Sequence, residues 1–178
     1  MTPMAMTTLN TWAALHTSLP YYRIAQERIL DCVMHHTSSL SLASLQLPSL
    51  PDVFDDTTLE HITELDLSHN RCKMLPPTLS CLSSLCILNL SYCSSLQELP
   101  LHAWSLTHLD LTCCEHISKQ NMISFLRELP FSCTLSFSNT PLAYNFTEWG
   151  ESCSYNLSLR ELFQYQSIQY ETTKHYIC

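Results

Sequence analysis

The chain holds a single glycine, Gly150, in 178 residues, against about 7% in an average protein. A loop that cradles phosphate needs several glycines at fixed spacing, so most nucleotide-binding folds are excluded. No run of 18 apolar residues occurs, so no segment reads as a membrane-spanning helix. Met1–Asn10 has no basic residue and no long apolar centre, which does not fit a common secretory leader. Residues 1–8, rich in Thr and Met, are expected to be a disordered N-terminus. The ten cysteines contain no Cys-x-x-Cys pair, so zinc-ligand spacing is missing. Their density is below that of a small disulfide scaffold. The expectation is reduced thiols in a cytosolic environment.

Basic charge is also scarce. The net charge is −8 and is unevenly spread. Residues 1–38 balance, with Arg23 and Arg28 against Glu27 and Asp31. Residues 39–142 hold ten acids and four bases, or −6, and 143–178 add −2. Such a middle segment repels nucleic acid and anionic lipid. It suits a protein partner, and a basic one in particular.

What is abundant is a spaced leucine pattern. Residues 62–76 read Ile-Thr-Glu-Leu-Asp-Leu-Ser-His-Asn-Arg-Cys-Lys-Met-Leu-Pro. Leu65 and Leu67 alternate with Glu64, Asp66 and Ser68, and a period of two means a strand with one buried face. The same pattern recurs around Leu40, Leu65, Leu88, Leu109 and Leu135, at spacings of 25, 23, 21 and 26 residues. Five positions after each of these leucines stand Leu45, Asn70, Cys93, Cys114 and Thr140. There the chain leaves the strand and buried backbone groups need partners. An Asn amide both donates and accepts, and a Cys is a small apolar residue with a weak donor. A Leu-Pro pair closes three of the units, at Leu50-Pro51, Leu75-Pro76 and Leu99-Pro100.

These positions match the leucine-rich-repeat pattern LxxLxLxxNxLxxLP, whose period runs over about 20–29 residues. The expected fold class is therefore α/β: a short leucine-rich-repeat solenoid or horseshoe, with parallel strands on the concave face and an N-terminal helical cap. The array is placed at 38–143, with about five repeats, the last degenerate. Single repeats cannot bury their leucines alone, and open array ends need covering. Residues 9–37 are expected to supply that cover as helices at 9–16 and 20–36. Tyr22, Ala25, Ile29 and Val33 form the apolar stripe of the second helix, Arg23 and Glu27 pair on its other side, Pro20 opens it and Ser18 is its candidate cap. Residues 52–58 are expected to form a turn or short helix on the convex side, 118–129 to form a convex-face helix, and 133–142 to form the last strand and turn. The tail, 144–178, matches no module, though a helix at 157–166 is expected.

The chain also resembles the N-terminal recognition domain of the type III-secreted bacterial effectors of the IpaH/SspH group. The residues that carry the likeness are Trp12, then Arg23, Ala25, Arg28-Ile29 and Cys32, the first repeat from Leu40 to Pro51, and a closing Cys133-Thr134-Leu135-Ser136-Phe137-Ser138-Asn139-Thr140-Pro141-Leu142-Ala143. This resemblance implies a recognition module for a host protein, delivered by a type III system into a host cytosol. The repeats here are longer and less even than that family's. Residues 88–100 are closer to plant immune-receptor repeats, and 109–118 to the cysteine-containing repeats of F-box proteins. The 35 residues at 144–178 do not resemble the ligase domain that follows the array in that family, so ligase activity is not carried over. A truncated recognition half of a ubiquitin-ligase effector, or a fragment of an immune-receptor-like array, stands as the alternative.

Positions between the strand leucines define the candidate partner-binding face. One row is Glu64, Ile87 and His108, a second is Asp66, Asn89 and Asp110, and a third is His69, Tyr92 and Cys113. The surface is acidic, with Tyr92 as its aromatic anchor. Asn70, Cys93 and Cys114 are assigned structural roles. A metal site is not expected. Asp66 and Asp110 stand two strands apart, at about 4.8 Å per strand, too far for one ion. His108, Asp110 and Cys113 share a strand, but an open sheet excludes no water and builds no oxyanion hole. The expectation is a monomeric, non-enzymatic binding protein without cofactor. The glycosylation triplets at Asn89, Asn145 and Asn156 carry little weight, since Asn89 lies within a strand.

Overall fold

The computed structural model describes residues 1–15, 19–100 and 105–143, and the backbone of 156–158. It is an α/β protein built on one six-stranded sheet with strand order β1-β2-β3-β4-β5-β6. The first five strands are parallel: β1 (Ser39–Ser41), β2 (Glu64–Asp66), β3 (Ile87–Asn89), β4 (His108–Asp110) and β5 (Thr134–Ser136). Leu40, Leu65, Leu88, Leu109 and Leu135 are Cα partners in that register. All five are buried, as are Leu42, Leu67, Leu90, Leu111 and Phe137 two residues on. Fully burying one such side chain stabilises the fold by about 1.5–3 kcal/mol. This repeated pair is what makes the sheet one-sided.

The segments between strands return along the buried side. They include short 3₁₀ turns at Thr57–Leu59 and Pro77–Cys81 and one helix, α3 (Lys119–Glu128). Ser118 caps α3 by accepting the Asn121 N–H. Met122, Phe125 and Leu126 face the core. Asn121 ties α3 to the preceding segment, its Oδ1 accepting the Leu99 N–H at 2.7 Å. Leu75 is half-buried, whereas Leu50 and Leu99 are buried.

Two helices precede the sheet. Helix α2 (Pro20–His35) buries Tyr22, Ala25, Ile29 and Cys32. It opens on proline and ends at His36, which is left-handed with φ 49° and returns its N–H to the Cys32 carbonyl. Leu19 occupies the cap position without a side-chain bond, and Ser18 lies outside the described residues. Arg23 and Glu27 pair at 3.0 Å on the exposed side. Trp12 packs on Tyr22 with ring centroids 4.7 Å apart.

Helix α1 spans Pro3–Ala14, so residues 1–8 are not the disordered N-terminus expected from composition. Thr2 caps the helix by accepting the Ala5 N–H, and Pro3 fits the first turn, where its missing donor costs nothing. Ala5 and Leu9 are buried. The Thr2 N–H also donates to Asp56 Oδ2 at 2.6 Å, fastening the helix start to the first return segment. Burial pushes the Asp56 carboxyl up. Hydrogen bonds from Thr58 and Thr2 outweigh that and hold it well below the usual carboxylate range.

The edge strand β1 is sealed by α2. Arg28 Nη1 donates to the Ser41 carbonyl at 3.1 Å and the Ala43 carbonyl at 3.4 Å. These are groups that a preceding strand would otherwise have paired. At the other edge, Asn156–Ser158 forms β6, antiparallel to β5. A helix was expected to begin at 157, so that expectation is corrected at 157 and 158. Its remainder lies outside the described residues. No helix among the described residues is long and apolar enough to cross a membrane.

Candidate functional site

Strand alternation leaves one face of the sheet open. Its first row is Ser39, Glu64, Ile87, His108 and Thr134, side by side in register. Glu64 and His108 are exposed and Ile87 is half-buried. His108 Nδ1 lies 2.9 Å from the Thr107 hydroxyl, which holds the imidazole against its own strand.

The second row is Ser41, Asp66, Asn89, Asp110 and Ser136. Its acids are not free recognition groups. Asp66 Oδ1 accepts the Ser68 N–H at 2.9 Å, Asn89 Oδ1 the Ser91 N–H at 3.0 Å, and Asp110 Oδ1 the Thr112 N–H at 2.8 Å. Each bond closes a side-chain turn two residues long. Three residues assigned to partner binding therefore also shape the backbone. A second carboxylate oxygen of Asp66 and of Asp110 remains for the open face. The sequence signal is a short polar residue two positions before Ser or Thr: Asp66-Leu-Ser68, Asn89-Leu-Ser91 and Asp110-Leu-Thr112.

The residue right after each of these turns, His69, Tyr92 or Cys113, lies in the left-handed region, and Ser44 and Asn139 hold the same conformation at the corresponding positions. Ser44, His69, Tyr92, Cys113 and Asn139 have φ of 61°, 56°, 60°, 60° and 53°. The region is unfavourable for a residue with a Cβ, and the chain has almost no glycine to relieve it. Ladder bonds hold the geometry: the N–H groups of Ser44, His69, Tyr92 and Cys113 donate to the carbonyls of Ser68, Ser91, Thr112 and Ser138. The side chains of this row consequently stand along the rim of the sheet. His69 and Tyr92 stack there with centroids 4.4 Å apart and planes 6° from parallel. Tyr92 is 50% exposed. Beside the stack, Ser44, Gln46, His69, Asn70, Arg71, Tyr92 and Ser94 line a hollow of about 310 Å³. Ser44, Gln46, Arg71 and Ser94 escaped the sequence reading; Ser44 and Gln46 are left-handed, and a non-glycine left-handed turn has no strong sequence mark.

Beneath the rim lies the residue that closes each turn. Asn70 is buried, and its Nδ2 donates to the carbonyls of Leu42 at 2.9 Å and Leu67 at 2.8 Å. Its Oδ1 accepts the Leu47 N–H at 2.9 Å. Cys93 Sγ donates to the Leu67 carbonyl at 3.2 Å and Cys114 Sγ to the Leu90 carbonyl at 3.1 Å. Thr140 Oγ1 bonds the Phe137 carbonyl at 2.7 Å. Three residue types thus serve one buried position. Burial pushes the thiols of Cys72 and Cys93 up to about 12 and about 11, and raises Cys114 as well. As protonated thiols, Cys72, Cys93 and Cys114 donate to the carbonyls of Leu47, Leu67 and Leu90. The eight cysteines within the described residues are all free thiols.

Among the described residues, no three His, Cys, Asp or Glu side chains gather closely enough to hold a metal ion. His108 and Asp110 share β4 with exposures set by the same face, but Asp110 is engaged with its turn and Cys113 accepts a bond from Asn139 Nδ2 at 3.4 Å. The structure does not bring these three into a relay. Neither a protein-family model nor a curated protein matches the chain.

Proposed function

We propose that residues 38–143 are a leucine-rich-repeat array, capped by α1 and α2, and that the array is a protein-binding module without chemistry of its own. The observation that carries this is the combination of an in-register set of five strand–turn units with an open face bearing Glu64, His108 and the exposed His69–Tyr92 stack. A repeated unit offers a broad, rigid surface on which each strand adds a few adjustable side chains. The stacked rings supply a large contact area that is already ordered. Glu64 and the unshared oxygens of Asp66 and Asp110 favour a basic partner surface and speed its approach at low salt. Cys93 and Cys114, which serve the buried turn position as hydrogen-bond donors, suit work in a reducing cytosol. The resemblance of the first repeat and its helices to secreted bacterial effector recognition domains supports a host protein as the partner.

The test is capture from cytosolic lysate, quantified by mass spectrometry, with the chain and two variants. Glu64→Lys combined with Tyr92→Ala alters the open face while leaving the turn carboxylates intact. Lys119→Glu alters the return side. The expected result is a partner lost by the first variant and retained by the second. Retention by the open-face variant with loss by the return-side variant would refute the assignment.

A further inference from the structure

We propose that the hollow beside the His69–Tyr92 stack receives an aromatic side chain of the partner whose neighbouring residue carries a carboxylate. The inference deepens the protein-binding reading and rests on it. Ring planes 6° apart with centroids at 4.4 Å, close to the strand spacing of about 4.8 Å, mean that the stack runs from repeat to repeat. Each ring therefore turns one face to its neighbour and one face outward along the rim. Beyond Tyr92, the next rim position holds Cys113, whose Sγ accepts a bond from Asn139 Nδ2. Beyond His69, the next rim position is Ser44, held in the same left-handed conformation with φ 61°. A serine cannot continue a column of rings. His69 and Ser44, the next rim position beyond it, both border the hollow of about 310 Å³, at the small end of the range of ligand sites, about 300–1,000 Å³.

The remaining lining decides what would accompany the ring. Gln46, Ser44 and Ser94 offer neutral hydrogen-bonding groups, and Arg71 is the one charged group in the lining. Among the described residues Arg71 pairs with no carboxylate, on a chain whose net charge is −8. A basic residue beside the incoming ring would meet that guanidinium and be repelled. A carboxylate there would be bound by it, in the planar geometry that arginine favours. A third ring stacked on His69 with an acid over Arg71 completes a column of which two members are already in place.

The probes are three blocked dipeptides, acetyl-Phe-Glu-amide, acetyl-Phe-Lys-amide and acetyl-Ala-Glu-amide, titrated into the full chain. The readout is the ring resonances of His69 and Tyr92 by NMR. Acetyl-Phe-Glu-amide should shift the His69 ring signals in a saturable way, and acetyl-Ala-Glu-amide should not. Acetyl-Phe-Lys-amide should bind more weakly, by up to about fivefold, the upper end of what an exposed ion pair contributes. Arg71→Gln should abolish the difference between the Glu and Lys peptides while keeping both. Ser44→Tyr places in this position a residue that the rim already accommodates at Tyr92, and it should block the hollow. Equal shifts with all three peptides, or undiminished binding to the Ser44→Tyr chain, would overturn the proposal. Absent peptide binding together with partner capture that depends on Glu64 would remove the hollow and leave the open-face reading standing. Peptide binding with capture indifferent to Glu64 would support the hollow and remove that reading instead.

Discussion

Replacing Asn70 by alanine removes four hydrogen bonds from a side chain that is 2% exposed, the longest of them, at 3.4 Å, to a Ser68 carbonyl that keeps the Ser44 N–H as a donor. The cost can be worked out group by group. The Leu67 carbonyl keeps Cys93 Sγ as a donor at 3.2 Å, so it is not orphaned. The Leu47 N–H and the Leu42 carbonyl lose the partners that Asn70 supplied at 2.9 Å each. Two buried backbone groups left unpaired cost about 1–3 kcal/mol apiece, and the small space left behind offers partial relief through water. The expected loss is about 2–4 kcal/mol. Asn70→Cys provides an internal control, because cysteine fills this position at Cys93 and Cys114 and donates to the carbonyls of Leu67 and Leu90. It should restore the bond to Leu42, leave only the Leu47 N–H unpaired, and lose about half as much. Urea unfolding followed by circular dichroism measures both variants, with the slope checked for constancy before midpoints are compared. A loss below about 0.5 kcal/mol for Asn70→Ala, or a cysteine variant less stable than the alanine one, would refute the claim that this position pairs the turn backbone.

Two further outcomes follow from the helical pair. Arg28→Met keeps the aliphatic stem but leaves the edge carbonyls of Ser41 and Ala43 without the guanidinium, so β1 becomes a free sheet edge; light scattering should show concentration-dependent association, and a fully monomeric variant would contradict the sealing role. The Asp56 carboxyl is held below its unfolded value, which is about 3.9. Its contribution is therefore present above that value and is lost as the pH falls through it toward the lower folded value. Stability measured from pH 6 down to about pH 2 should fall more steeply for the natural chain than for Asp56→Asn; parallel slopes would show that the Thr2 and Thr58 bonds do not couple to protonation.

The parts of this fold that are legible in the sequence are those set by burial. Leu40, Leu65, Leu88, Leu109 and Leu135 announce the strands, because a one-sided sheet stacked in register needs a large buried apolar residue at the centre of every strand. Helices α2 and α3 show through their apolar stripes, since Ile29 or Phe125 exposed would be costly. What local polar chemistry decides is harder to see. Helix α1 starts at Pro3 because Thr2 caps it and Asp56 holds it, and no composition average registers a bond across 54 residues. Asp66, Asn89 and Asp110 read as surface acids and amides until the turn N–H groups beneath them are located. The rim stack of His69 and Tyr92 depends on left-handed turns at residues with a Cβ, where the usual glycine signal is missing. Strand β6 pairs antiparallel with β5 through a segment whose leucines fit a helix equally well.

The central claim is that the open face and its rim meet a protein partner. Once a partner has been captured, hydrogen–deuterium exchange on the complex tests that claim most directly. The account predicts slowed exchange at residues 64–69, 87–92 and 108–113, the strands and turns that carry Glu64, His69, Tyr92 and His108, with no change at residues 119–128 of α3. Protection confined to α3 and the 3₁₀ turns, with the open face exchanging as in the free chain, would contradict it.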